Sequence, residues 1–130
     1  METQIISFET AKLAKEKGLV GYGHMYNSDG DIIPYYPPKG DPLEGYQDRD
    51  TYFAPIPSVV QKWLMEEYNI IVYFIPCWND DDDSFYGFHF AICETDEDKS
   101  LVSSKYSIEM VYDTPEDALD SGLFEALKNL

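Results

Sequence analysis

The side chains of this sequence best suited to chemistry are a run of carboxylates and a histidine beyond it. Asp80, Asp81, Asp82 and Asp83 stand between two apolar segments, and His89 lies in the second of these. Clustered carboxylates bind cations or act as general acids and bases, and an imidazole transfers protons near neutral pH. These groups carry one hypothesis, a small hydrolase or metal-dependent enzyme, which requires them to converge in a concave pocket.

Other motifs of catalysis and ligand binding are incomplete. A calcium loop starting at Asn27 needs glycine at its sixth position and glutamate at its twelfth, where this chain has Ile32 and Pro38. The Gly-Tyr-Gly at 21–23 lacks the third glycine of a dinucleotide-binding loop and does not open a helix. Neither histidine has a Cys, Ser or second His at a motif spacing. The sequence therefore assigns no catalytic residue, no cofactor and no metal ligand.

The two cysteines are expected to be free, buried thiols. If the segments that flank the aspartates form a hairpin centred near Asp81, then Cys77 faces Phe85 and Cys93 faces Asn69. A disulfide between the cysteines would need a different pairing. No CxxC or His-rich spacing indicates redox chemistry or a zinc site.

The charge of the chain limits its partners. It has 25 acidic and 9 basic residues, a formal charge of −16 and an isoelectric point near 4.1. The acidity is concentrated after Trp78, where 14 acidic and three basic residues follow, against 11 and six before. Nucleic acid and anionic membranes repel such a chain, so we expect neither as a direct partner. The 44% of apolar and 15% of aromatic residues nevertheless favour a folded domain over an acidic tail.

The N-terminal residues favour a cytoplasmic protein. Residues 1–6 include an acid but lack the basic region of a secretory signal, and their apolar stretch is short. The longest apolar run, at 70–78, has nine residues. A membrane helix needs roughly 20, so this run is predicted to be a strand.

Tyrosines in the proline-rich segment 34–45 and just after it are candidates for contact with a partner, because tyrosine is favoured at binding surfaces. Packing of these rings on the prolines is the preferred explanation, and an interface is the second. The candidate partner-binding residues are Tyr35, Tyr36, Tyr46, Trp78 and Asp80 to Asp83.

Capping residues indicate three helices. The first spans 7–17, with Ser7 as N-cap and Gly18 as the stop signal. The second has Pro57 at its first position and ends at Asn69. The third opens with Thr114 as N-cap, and Gly122 within its apolar stripe predicts a close approach to a sheet.

The strands and turns complete a single α+β domain over residues 1–130. A hairpin is predicted between 19 and 33, an ordered loop at 34–45, central strands at 70–77 and 85–93, and a weaker strand at 106–111. We expect three helices packed on a mostly antiparallel sheet of about four or five strands, in the order α-β-β-α-β-β-β-α. Because both faces of the central strands are apolar, either helices cover both faces or a second subunit covers one, as in a homodimer.

Three stretches of the chain resemble small uncharacterised proteins encoded by phages and prophages of gut Bacteroidetes. The most specific is the Ser-Val-Val-Gln-Lys-Trp-Leu pattern at 58–64, with its flanks at 52–57 and 68–70. The opening helix at 6–18 and the closing segment from Tyr112 to Leu127 are also similar. The resemblance implies a phage context and transfers no catalytic residue. Relative to the usual pattern, Ile56-Pro57 and the strongly acidic run at 80–83 are departures.

These observations favour a non-enzymatic phage accessory protein that binds a host or phage protein. A more specific version is that its acidic surface imitates DNA and inhibits a host DNA-processing or defence protein. The simpler explanation of the charge, that it maintains solubility, is preferred to such mimicry. The enzyme described above and a structural, self-assembling virion component are the alternatives.

Overall fold

The computed structural model describes residues 4–21, 23–33, 51–107 and 110–130. In these ranges the chain forms three helices and two antiparallel sheets of three strands each. The α+β class and the three helices are confirmed, whereas the single sheet of four or five strands is wrong. The bounds are α1 Phe8–Glu16, β1 Met25–Tyr26, β2 Ile32–Ile33, β3 Tyr52–Phe53, α2 Pro57–Tyr68, β4 Ile70–Trp78, β5 Phe85–Thr95, β6 Leu101–Tyr106 and α3 Pro115–Lys128.

The helices begin and end where the capping residues predicted. The backbone N–H of Thr10 donates to Ser7 Oγ, and the backbone N–H of Asp117 donates to Thr114 Oγ1. These bonds satisfy donors that have no partner within the first turn of a helix. Helix α2 ends at Asn69, which adopts the left-handed conformation with φ 56°. None of the described helices is long and apolar enough to cross a membrane.

The first sheet is small and packs against α1. Its strand order is β2-β1-β3, and each strand has two residues. The Phe8 ring of α1 contacts the rings of Tyr26 and Tyr52, with centroids 5.4 and 5.6 Å apart. The Tyr26 hydroxyl donates to the carbonyl of Ile6 at 2.7 Å. These contacts attach the predicted hairpin to the first helix rather than to the larger sheet. The predicted loop at 34–45 lies outside the described residues.

The second sheet has the order β4-β5-β6, so β5 is central and β4 is an edge strand. Its register differs from the prediction: Cys77 faces Gly87, and Cys93 faces Ile71. The difference arises at the turn, where the pairing shifts between Cys77 and Trp78 and Asp83 takes a positive φ of 56°. Both cysteines are free, but only Cys77 is buried, while Cys93 is half-buried.

The last strand also differs from its prediction. The expected strand at 106–111 forms instead at Leu101–Tyr106. A tight turn sets this position, because the backbone N–H groups of Asp98 and Ser100 both donate to Asp96 Oδ1 and Lys99 takes a φ of 63°. Just after the expected segment, Tyr112 makes an isolated antiparallel bridge to Phe88.

The helices cover one face of the second sheet, called here the helix face. Ile70 and Val72 of β4 and Phe90 and Ile92 of β5 lie on it within the main core cluster. At Gly122 of α3, an added Cβ would lie 2.8 Å from Val72 Cγ1 and 2.9 Å from Phe90 Cβ. The predicted close approach at Gly122 is therefore confirmed.

The opposite face of this sheet is called the outer face. Alternation along paired strands places its residues on the side away from the core cluster, and no helix of the described ranges packs there. Among the described ranges, helices therefore cover the apolar residues of the helix face and leave those of the outer face without a helix over them. The outer face includes Ile71, Tyr73, Ile75, Cys77, Gly87, His89, Ala91, Cys93, Ser104 and Tyr106.

Replacement of Gly122 by alanine tests this helix contact. Alanine favours a helix over glycine by about 1 kcal/mol, but overpacking a core costs about 1–3 kcal/mol. We expect Gly122→Ala to lower the free energy of unfolding, measured by urea denaturation. Ser121→Ala on the same helix is the control, expected to change stability by less than about 0.5 kcal/mol. A Gly122→Ala variant more stable than the wild type would contradict the close approach.

Candidate protein-binding surface

Four aromatic rings form a continuous patch at the end of the β4–β5 hairpin. The ring centroids are 5.6 Å apart for Phe74 and Phe88, 5.0 Å for Phe88 and Phe85, and 5.5 Å for Phe85 and Trp78. All three pairs are edge-to-face, the arrangement that aromatic rings prefer. We call Phe74, Trp78, Phe85 and Phe88 the aromatic patch.

The aromatic patch is exposed because the hairpin extends past the helices. Phe74 pairs with Phe90 of the core, so the patch continues the helix face of the sheet. Tyr112 bridges to Phe88, and helix α3 begins soon after Tyr112. The helix therefore does not extend over the end of the hairpin. Phe74, Trp78 and Phe85 are 42%, 56% and 46% exposed. Large apolar residues clustered at the surface mark interaction sites more often than isolated ones do.

The four aspartates form the tip of the same hairpin, and hydrogen bonds order the turn that carries them. The backbone N–H of Asn79 donates to the carbonyl of Ser84 at 2.8 Å, and that of Asp83 donates to the carbonyl of Asn79 at 3.0 Å. The backbone N–H and hydroxyl of Ser84 donate to Asp82 Oδ1 at 3.0 and 2.7 Å. The tip is therefore a defined turn that holds its carboxylates beside the aromatic patch.

The charge of this tip is not neutralised within the described chain. All four aspartates are exposed, and the ion pairs between described residues lie elsewhere, at Lys62–Glu66 and Lys105–Glu125. Hydrogen bonds from the Ser84 hydroxyl and backbone hold the pKa of Asp82 below its ordinary value. The tip thus presents negative charge next to apolar rings.

Of the candidate residues named from the sequence, Trp78 and the four aspartates lie together at the end of the hairpin. Tyr35, Tyr36 and Tyr46 lie outside the described residues. Sequence reasoning missed Phe74, Phe85 and Phe88. The signal for Phe74 was present in the alternation of Phe74, Pro76 and Trp78, which places these residues on one face of a strand close to a turn.

The carboxylates and His89 do not form the pocket that the enzyme hypothesis requires. The aspartates lie in solvent at the tip, whereas the ring of His89 contacts the carbonyl oxygen of Met110 at 2.9 Å. Among the described residues no group of three or more His, Cys, Asp or Glu side chains could hold a metal ion. This arrangement offers no paired carboxylates around a substrate.

An open cavity of about 820 Å³ lies between α1, α3 and the end of β6, away from these groups. Its polar lining is largely paired internally. The backbone N–H of Ser7 donates to Asp120 Oδ1 at 2.8 Å, and Lys105 Nζ donates to Glu125 Oε1 at 3.0 Å. The Lys105 hydrogen bond holds the pKa of the Glu125 carboxyl below its usual value. These contacts join α1 to α3 and β6 to α3, which is a structural role.

Comparisons with known proteins find no matching family model, no matching curated protein and no matching solved structure.

The Ser84 contact in the acidic tip can be tested by pH titration. We expect Ser84→Ala to raise the pKa of Asp82, because it removes the hydroxyl that favours the charged carboxylate. In the wild type this contact stabilises the fold above the unfolded-state pKa of the carboxyl, and the contribution is lost as pH falls through the lower folded-state value. The carboxyl resonance of Asp82, followed by NMR against pH, measures the change. Ser103→Ala on β6 is the control. If the pKa of Asp82 were the same in the wild type, Ser84→Ala and Ser103→Ala, the Ser84 hydroxyl would not be the cause of the lowered pKa.

Proposed function

We propose that this chain is a small, non-enzymatic accessory protein that acts by binding another protein through the end of its β4–β5 hairpin. The observation that carries the proposal is the aromatic patch beside Asp80–Asp83. Binding surfaces concentrate their energy in a few large rings surrounded by polar groups. The resemblance to phage and prophage proteins supports a host or phage protein as the partner.

The chemistry of the surface favours a basic partner that presents arginine. A guanidinium group stacks on an aromatic ring and forms paired hydrogen bonds with a carboxylate, so it can use both parts of this surface. Carboxylates without an ion-pair partner in the described chain keep their full attraction for such a group. A neutral or acidic partner would leave these charges unpaired at the contact.

Basic clefts that bind DNA are one source of such a surface. A host DNA-processing or defence protein carries arginines and lysines spaced for phosphates, and the acidic tip could occupy that cleft as an inhibitor. Overall solubility explains a high net charge without any partner. It does not explain why four aspartates adjoin an exposed aromatic cluster, and this local arrangement supports binding.

A pair of variants with equal charge separates a local site from the general effect of net charge. The hairpin variant carries Asp80→Asn, Asp81→Asn, Asp82→Asn and Asp83→Asn. The control variant carries Glu94→Gln, Asp96→Asn, Glu97→Gln and Asp98→Asn, at the β5–β6 turn. Both remove four negative charges, and the asparagine oxygens at 82 and 96 can still accept the hydrogen bonds of the turns.

The experiment captures proteins from a host lysate on the immobilised wild type and on both variants, then measures the affinity of the purified partner. We expect one basic protein that the wild type and the control retain and the hairpin variant loses. The affinity should fall about tenfold or more for the hairpin variant at low salt, since exposed ion pairs contribute about 0.2–1 kcal/mol each. Raising the salt should weaken binding.

Trp78→Ala tests the aromatic part of the same surface. Truncation of a central ring in an interface typically costs at least about 1–2 kcal/mol, so we expect the affinity to fall about tenfold or more. The exposed position of Trp78 predicts little loss of stability, which thermal denaturation checks. The proposal is wrong if both acidic variants lose the partner equally, or if Trp78→Ala binds like the wild type.

A further inference from the structure

The rings of the aromatic patch do not stack on one another. The planes of neighbouring rings meet at 64° to 85°, with centroids 5.0 to 5.6 Å apart. In duplex DNA the bases instead lie parallel at about 3.4 Å along each strand, and they cover one another's faces. Because the patch lacks such stacking and Trp78 and Phe85 remain about half exposed, flat groups of a partner can stack on these rings.

A β-bulge adds one more exposed ring on the other side of the hairpin end. The strand pairing shifts by one residue after Cys77, which leaves Tyr86 of β5 without a residue opposite it. Bulges of this kind redirect a side chain. Tyr86 is 46% exposed, and its pKa is raised by partial burial and by the nearby Cys77 thiol, which belongs to the outer face. The hairpin end therefore carries exposed rings on both sides and carboxylates at its tip.

We propose that the hairpin end occupies the groove of an OB-fold protein that binds single-stranded DNA, an inference that rests on the proposed function because it concerns the same surface. Such grooves combine positive charge, which follows the phosphates, with aromatic side chains on which the bases stack. The hairpin end offers a substitute for both parts of the strand. Asp80–Asp83 take the place of phosphates, and Trp78, Phe85 and Tyr86 take the place of unstacked bases.

A cleft that binds duplex DNA matches this surface less well. A duplex presents phosphates and base edges, while the faces of its bases are covered by stacking. Carboxylates would satisfy the phosphate contacts of such a cleft, but the exposed rings would meet groups arranged for phosphates and base edges. A flat partner surface would cover the aromatic patch and leave Tyr86 on the far side in solvent. A groove whose walls carry both basic and aromatic side chains uses all of these groups.

Displacement of single-stranded DNA tests this inference. The probe is a fluorescent oligothymidylate of about 16 nucleotides, the upper site size of one OB-fold, bound to the purified OB-fold single-stranded-DNA-binding protein of a bacterial host. We expect the full chain to release the oligonucleotide, measured as a fall in fluorescence anisotropy, without binding the oligonucleotide itself. The matched control is a duplex of the same length on a nucleoid protein that binds duplex DNA, and its release should need at least about tenfold more of the chain.

Variants separate the rings from the charges. Trp78→Ala and Tyr86→Ala should each raise the concentration needed for half-release about tenfold, because each removes a stacking surface. Tyr106→Ala removes a ring that is also 46% exposed but lies on β6, and should compete as the wild type does. Tyr86→Phe keeps the ring and should also compete normally. The hairpin variant should lose about tenfold or more and the control variant little. Thermal denaturation establishes that each protein is folded.

Three results would overturn the inference. The chain could fail to release the oligothymidylate, it could release the duplex at the same concentration, or Tyr86→Ala could compete as well as the wild type. The proposed function would survive each of these results if the lysate experiment still identified a basic protein that the hairpin variant loses. If that experiment also identified no such protein, the proposed function and the inference would both be wrong.

Discussion

The close packing of α3 on the second sheet is the contact on which the other surfaces depend. Gly122 lets the helix backbone approach Val72 and Phe90 to distances that a side chain would prevent. This contact determines which sheet face is buried, because residues on a strand alternate between its two sides. The outer face and the exposed end of the hairpin follow from it.

The hairpin is longer than the helix layer that covers it. Rings that would belong to the core in the middle of the sheet, such as Phe74 and Phe88, therefore form a surface cluster near its end. The same turn that ends the strands carries the aspartates. A single structural feature, the overhang of β4 and β5, thus produces both the apolar and the acidic parts of the proposed binding surface.

The chain also separates its charges by location. The tip at 80–83 and the turn at 96–98 carry exposed carboxylates, whereas the outer face carries none. Net charge alone predicts solubility, while the fold determines that these carboxylates are concentrated at the turns of the second sheet.

The sequence by itself determined the helices, since caps and stops such as Ser7, Asn69 and Thr114 act within one turn of the chain. It also indicated the β4–β5 hairpin and Trp78 beside the acidic run. The register error moved the partner of Cys77 by two residues, from Phe85 to Gly87, and left both cysteines on the outer face, because side chains alternate along a strand with a period of two. Only the tertiary structure decided that the strands form two sheets and that Phe85 and Phe88 join Trp78. These features depend on contacts between distant segments and on where a helix stops covering a sheet, and local patterns of residues do not encode either.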